Sequence, residues 1–216
     1  MDDCRIYLIT PPRIDDMDAF QKDLDDALGA GEVACLQLRL KEEGKVADSS
    51  VVVQAADAIF PRVREAGALA FLNDDARLAA EIGADGVHLG QSDGSLAEAR
   101  ELLGQDAVIG ATCHTSRDLA FAAASAGADY VAFGAFFPTR TKQPPSSFEG
   151  GDGMELLSWW QEAMEVPCVA IGGITPDNAR SVVEAGADFI AVSAGVWSWP
   201  GGPAEAVRLL SEACRR

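Results

Sequence analysis

Basic residues are scarce in this 216-residue chain: 17 lysines and arginines stand against 34 aspartates and glutamates, for a net charge of −17. That deficit argues against DNA or RNA as a partner, because phosphate neutralisation needs a basic face. It also argues against an anionic membrane surface. It does not exclude a phosphorylated small molecule, which feels the local field of its cleft more than the total charge. Long apolar runs are missing too, and none approaches the roughly 18 residues a membrane span needs. Met1-Asp2-Asp3 is acidic where a secretory leader is basic. The cysteines are five, an odd number (Cys4, Cys35, Cys113, Cys168, Cys214), widely spaced and without a C-x-x-C pair. They read as small buried residues in a reducing cytoplasm rather than a structural zinc site. Nucleotide and hydrolase motifs are absent as well. Gly44-Lys45-Val46 lacks the hydroxyl residue and the upstream glycine of a P-loop, there is no G-x-G-x-x-G, and no Ser-His-Asp arrangement stands in context.

What the chain does have is an internal repeat. "GADGVHLG" (83–90), "GADYVAFG" (127–134) and "GADFIAVS" (186–193) each follow an Ala-rich segment. The pattern is a helix ending at a glycine that can take positive φ, a short turn, and a strand apolar enough to be buried on both faces. The same rhythm predicts eight strands: Arg5–Thr10, Ala34–Arg39, Leu69–Asn73, Gly86–Leu89, Val108–Ala111, Tyr130–Gly134, Cys168–Gly172 and Phe189–Ser193. Helical segments such as Met17–Leu28, Val51–Glu65 and Ala204–Cys214 alternate with them. Alternation implies a parallel sheet, and eight units imply a closed α/β TIM barrel, (β/α)8, near the lower size limit of that fold. A doubly wound open sheet usually has five or six strands and fits less well. No linker or composition break divides the chain, so residues 1–216 are expected to form a single barrel domain, with 143–153 its most loop-like segment.

In such a barrel the chemistry is built on the loops after the strands. "QLRLK" supplies Gln37, Arg39 and Lys41, which alternation sends to one side if the second strand continues that far. Asn73, Asp74 and Asp75 follow the third predicted strand, His88, Gln91 and Asp93 the fourth, and Thr112, Cys113, His114 and Thr115 the fifth. The apolar run "FGAFFP" turns abruptly into Thr139-Arg140-Thr141-Lys142 after the sixth. Taken singly, each has a structural reading. Arg39 and Lys41 read as solvated charges, Asp75 as a helix N-cap, and His88 and His114 as satisfied structural histidines. Thr175 reads as an N-cap ahead of Pro176, and the four tryptophans as packing residues.

Together they read differently. Gly172-Gly173 and Ser193-Ala194, after the last two strands, mark the phosphate site common to barrels, with Thr139 and Thr141 adding hydroxyls. On the opposite arc stand three cations, Arg39, Lys41 and Lys142, and two carboxylates, Asp74 and Asp93. Cations and carboxylates facing one ligand conflict unless a metal lies between them. Magnesium typically takes one or two carboxylates plus phosphate oxygens and water. The pattern therefore reads as a Mg2+-bound diphosphate beside a monophosphate.

These residues in this order resemble the thiamine phosphate synthase (thiamine-phosphate pyrophosphorylase) family. The matching pieces are "QLRLK", "LNDDARLAAEIGADGVHLGQSD", "IGATCHT", "GADYVAFGAFFPTRTK", "VPCVAIGGITPDN" and "GADFIAVSAG". The resemblance implies a transferase that joins hydroxymethylpyrimidine diphosphate to a thiazole phosphate, giving thiamine phosphate and pyrophosphate. It implies Mg2+ on Asp74 and Asp93, the diphosphate on Arg39, Lys41, Asn73 and Lys142, and the aminopyrimidine on Gln37. The thiazole phosphate would lie on Thr139, Thr141, Gly172, Gly173, Ser193 and Ala194. Arg39, Lys41, Lys142 and Thr112 would serve the catalytic step. Thr112 stands where the family usually carries serine, keeping the hydroxyl and adding a methyl beside the pyrimidine; "TCHT" and "GVWSWPGG" are also unusual. The implied partners are small phosphorylated molecules, with neither nucleic acid nor membrane, and homo-oligomerisation stays open. Two other readings remain: a thiazole tautomerase of the same fold, with His114 as its histidine, and a non-catalytic barrel that binds a phosphorylated metabolite.

Overall fold

The computed structural model describes residues 3–42, 45–138, 148 and 152–216. Along the chain come β1 (Arg5–Ile9), α1 (Met17–Gly29), β2 (Val33–Leu38), β3 (Lys41–Glu42), β4 (Lys45–Val46), α2 (Ser49–Glu65) and β5 (Leu69–Asn73). Then follow α3 (Ala76–Glu81), β6 (Gly86–Leu89), α4 (Leu96–Leu103), β7 (Val108–His114), α5 (Arg117–Ser125) and β8 (Tyr130–Gly134). The remainder is α6 (Asp152–Ala163), β9 (Cys168–Ile171), α7 (Ala179–Glu184), β10 (Phe189–Val192), α8 (Ala194–Trp197) and α9 (Gly202–Cys214).

Eight parallel strands close in the order β1-β10-β9-β8-β7-β6-β5-β2, and β2 pairs back with β1. This is the (β/α)8 barrel expected from the alternation. Outward-facing Leu8, Leu36, Val87, Ile109, Val131 and Ile190 are buried under the helix layer. Inward-facing Tyr7, Ile9, Cys35, Phe71, Tyr130, Ala132, Val169 and Ala191 form a second, smaller core inside the barrel. Ring-sized space there comes from glycine on neighbouring strands. A Cβ on Gly110 would lie 1.9 Å from the Tyr130 ring, and one on Gly86 would lie 2.9 Å from the Phe71 ring.

The Gly-Ala-Asp repeat closes the N-terminal end of the barrel. Gly83, Gly127 and Gly186 take φ of 62°, 88° and 113° after their helices, a region that costs other residues a Cβ clash. The aspartate that follows grips the preceding strand with both backbone and side chain. Asp85, Asp129 and Asp188 donate their N–H to the carbonyls of Ala70, Ile109 and Cys168. Their carboxylates accept from the N–H of the same three residues at 2.7–2.8 Å. Arg64 and Arg100 pair with Asp85 and Asp129.

Three local expectations change. β2 ends at Leu38, because Arg39 N–H turns to the Thr10 hydroxyl and Leu40 is buried, so Lys41 belongs to the β3–β4 hairpin. β7 runs on to His114, with Cys113 taken up in a bulge, which puts Thr112, Cys113 and His114 inside the strand rather than after it. Asn178, not Thr175, is the N-cap residue of α7. Its side chain reaches back instead, accepting from Thr175 N–H at 2.8 Å and donating to the Gly173 carbonyl at 3.0 Å. The five cysteines are buried and unpaired. Trp160 is fully buried and donates to Val166 O, and Trp197 donates to Ile9 O, so both pack as structural residues. Among the described residues, no helix is long and apolar enough to cross a membrane.

Candidate active site

The strands that carry the inner core deliver polar residues to its C-terminal mouth. β2 and β5 end beside each other, in register Gln37 with Phe71, and this brings the Gln37 and Asn73 side chains together. Gln37, only 3% exposed, donates through Nε2 to Asn73 Oδ1. Its Oε1 accepts the Tyr7 hydroxyl at 2.8 Å. The Tyr7 oxygen lies 2.9 Å from that of Tyr130, and Tyr130 lies 2.9 Å from His88 Nδ1. His88 Nε2 lies 2.8 Å from Thr112 Oγ1, and Gln91 Nε2 donates to the Thr112 carbonyl. His88 is thus a satisfied core histidine, as its structural reading expects, and it links Thr112 to a chain of polar groups crossing the barrel. Burial pushes the hydroxyls of Tyr7 and Tyr130 well above the ordinary phenol range, so both keep their protons.

The turn after β5 is built around a residue in the left-handed region. Asp74 takes φ 70°, and its N–H bonds to the His88 carbonyl at 2.8 Å. Asp75 is freed for the cap of α3, accepting from Leu78 N–H at 2.9 Å. Asp74 Oδ2 is 2.5 Å from Lys41 Nζ, which the β3–β4 hairpin brings in from outside the barrel. Arg39 is half-buried nearby; burial pulls its guanidinium below the ordinary value, and the Asp74 charge opposes that. Asp93 is fixed by Gly90 N–H and the Ser92 hydroxyl. Asp74 and Asp93 line one cleft of about 470 Å³, with Asp75, Arg77, Ser92 and Glu98. Two carboxylates lining one cleft would suit a hard cation that completes its shell with ligand oxygens and water. No group of three or more metal-ligating side chains occurs among the described residues.

The other arc is made of backbone. Gly172 and Gly173 take φ of 106° and 65°, and a Cβ on Gly173 would lie 2.5 Å from Pro138 O and 2.7 Å from Phe137 O. Ser193 opens α8, with Ala194 its first residue, and its hydroxyl donates to Thr10 O at 3.1 Å. Thr10 in turn holds Arg39 N–H, so one buried residue couples the two arcs. Thr139, Thr141 and Lys142 lie outside the described residues. Every other candidate, from Gln37 to Ala194, sits at or beside this mouth. Tyr7 and Tyr130 were not candidates. They are the chain's only tyrosines, each at an inward position of an apolar strand, and that rarity was the available signal.

Comparison with known proteins agrees with this architecture. A curated thiamine-phosphate synthase of Rhodospirillum centenum is 54% identical over 207 residues, 96% of each chain. One of Hyphomonas neptunium is 52% identical over 204 residues, 94% of this chain and 90% of its own. The solved thiamine phosphate pyrophosphorylase of Pyrococcus furiosus superposes with a TM-score of 0.80 at 31% identity, covering 97% and 95%. Orotidine 5'-phosphate decarboxylase of Pyrococcus horikoshii, at 16% identity and a TM-score of 0.65 over 96% and 98%, shares the fold alone. The family model described as thiamine monophosphate synthase matches residues 6–196, and the chain belongs to that family.

Proposed function

We propose that this chain is a thiamine-phosphate synthase, joining hydroxymethylpyrimidine diphosphate to thiazole phosphate with release of pyrophosphate. What supports the reading most is the Lys41–Asp74 contact on the cleft that Asp93 also lines, in a chain 54% identical to a named synthase. Asp74 and Asp93 would hold Mg2+, which when bound shields the like-charged diphosphate oxygens and stabilises the charge of the leaving group.

The chain's own residues do the rest. Arg39 and Lys41 neutralise charge that grows on pyrophosphate as the carbon–oxygen bond breaks, and Asn73 donates to the same oxygens. Lys142, outside the described residues, joins them on the strength of the sequence resemblance. Departure leaves a pyrimidinylmethyl cation, which Gln37 and Thr112 hold in place. Gly173, Ser193 and Ala194, with Thr139 and Thr141, seat the thiazole phosphate so that the ring nitrogen is aimed at that carbon. The attack needs position more than a base, which accounts for a mouth without an obvious general base. A soluble, cytoplasmic setting follows from the phosphorylated substrates and the free thiols.

The test is to mix the protein with both substrates, with and without Mg2+, and look for thiamine phosphate. Product that depends on Mg2+ supports the reading. Its absence, with thiazole tautomerisation present, overturns it in favour of an isomerase.

A further inference from the structure

The buried chain from Thr112 to Asn73 takes its direction from the Gln37 amide, which turns Oε1 to Tyr7 and Nε2 to Asn73. Gln37 Oε1 is a carbonyl oxygen and can only accept, so Tyr7 spends its one hydroxyl proton there. The Tyr7 oxygen, 2.9 Å from Tyr130, must then accept, and Tyr130 is the donor. Tyr130 has no second proton, so His88 Nδ1 must carry a hydrogen and donate to it. In a neutral ring Nε2 is then bare and accepts from the Thr112 hydroxyl at 2.8 Å. At the far end Gln37 Nε2 donates to Asn73 Oδ1, which turns the Asn73 amide N–H2 away from Gln37.

We propose that Tyr7, Tyr130 and His88 are positioning residues that fix the polarity of the site's two ends, leaving Thr112 Oγ1 as an acceptor and Asn73 Nδ2 as a donor. The inference rests on the reading that a pyrimidine diphosphate binds at this mouth. An aminopyrimidine is an asymmetric partner, with an exocyclic amine that donates and a diphosphate arm that only accepts. An acceptor at Thr112 and a donor at Asn73 therefore admit one orientation, amine toward β7 and diphosphate toward β5. The reverse orientation sets donor against donor and acceptor against acceptor, leaving buried polar groups unpaired. The family's customary serine would serve at the Thr112 end equally well, since the chain needs only the hydroxyl. The three positioning side chains are locked by the inner core: the His88 and Tyr130 rings lie 19° from parallel, and Gly110 clears the space Tyr130 occupies.

Two measurements decide it. The chain has two histidines, so a His114→Gln variant assigns the imidazole signals of His88 in long-range proton–nitrogen spectra of the labelled protein. With Nδ1 donating to Tyr130 and Nε2 accepting from Thr112, His88 is expected to carry its hydrogen on Nδ1, and Tyr130→Phe is expected to release it into a mixture of tautomers. Hydrogen on Nε2, or on both nitrogens, in the parent protein overturns the proposal. This arm needs no substrate, so it stands even if no thiamine phosphate forms and the reading of the reaction fails. In the kinetic arm, Tyr7→Phe should lower kcat/KM for the pyrimidine diphosphate about tenfold and leave KM for the thiazole phosphate within about twofold. A loss shared equally by both substrates would reduce Tyr7 to a structural residue. Should Tyr130→Phe fail to fold, Tyr7→Phe carries both readouts, since it breaks the same chain one link further on.

Discussion

Lys41 Nζ lies 2.5 Å from Asp74 Oδ2, although one residue opens a hairpin outside the barrel and the other sits in the turn after β5. Both side chains are mostly withdrawn from water, at 18% and 20% exposure, so the pair is worth more than a surface contact. Under the proposed function Asp74 would hold the divalent ion, and Lys41 would then face the oxygens of the diphosphate. Asp74→Asn is therefore expected to cut Mg2+-dependent coupling about a hundredfold or more. It should cost about 1–3 kcal/mol of stability, because Lys41 keeps its charge and loses its counter-charge. Initial rates across a Mg2+ series, with denaturant unfolding alongside, check both. Asp93→Asn should show the same loss of rate while leaving the Lys41 contact untouched, and normal Mg2+ dependence in either variant removes that carboxylate from the metal site.

Gly173 is tested by a single methyl. With φ at 65° and the carbonyls of Phe137 and Pro138 at 2.7 and 2.5 Å from any added Cβ, Gly173→Ala must push the chain away from the mouth. Backbone strain of this kind costs about 1–3 kcal/mol. The expected kinetic mark is one-sided. KM for the thiazole phosphate rises about tenfold, and KM for the pyrimidine diphosphate stays within about twofold. Isothermal titration with thiazole phosphate alone gives the same answer without turnover.

Much of the barrel could be read in the sequence because buried parallel strands are apolar on both faces and so stand out as runs. The boundaries of β5, β6 and β8 match the expectation residue for residue. The hairpin of Lys41–Glu42 and Lys45–Val46 could not be read, since a two-residue strand carries no period. Alternation along "QLRLK" led to Lys41 as a site residue, but Lys41 arrives by another path. The repeat predicts a glycine, a turn and a strand but gives its aspartates no role, because their grip on the preceding strand depends on a neighbour some 15 to 20 residues away. Tyr7 and Tyr130 were hidden for a different reason: in a strand apolar throughout, nothing local marks which face looks inward. The position of Arg39, Asn73, Asp74 and Asp93 at the mouth was legible because each stands at the end of, or shortly after, a strand that reads as an apolar run.

Asp129 carries a prediction of stability without function. Its carboxylate accepts from Ile109 N–H and from Arg100, both at 2.7 Å, at the end of the barrel remote from the mouth. Asp129→Ala leaves a partly buried N–H without its acceptor and takes the counter-charge from Arg100, whose guanidinium keeps only backbone carbonyls, and should lower unfolding free energy by about 1–3 kcal/mol. The values of kcat and KM measured well below the unfolding temperature should be those of the parent. A change in either would mean that the clasp shapes the mouth and not merely the closed end.

The buried thiols are expected to weaken the fold in alkali. Burial pushes both Cys113 and Cys168 up to about 12 from an ordinary 9.0, and each thiol donates to a carbonyl, Ala111 O at 3.6 Å and Gly186 O at 3.9 Å. A raised value means the native state holds its proton while the unfolded chain has released it. Between about pH 9 and pH 12 the unfolded state therefore binds fewer protons, and stability falls as pH rises, by about 1.4 kcal/mol per pH unit for each thiol. Below pH 9 both states are protonated and these groups make no difference. Urea unfolding of the parent and of Cys168→Ala, taken at several pH values on each side of 9, separates this effect from the packing loss. The variant starts lower because of its cavity, but its stability should decline less steeply above pH 9. Parallel slopes would mean that Cys168 ionises in the folded protein as readily as in the unfolded chain, which contradicts its complete burial beneath Asp188.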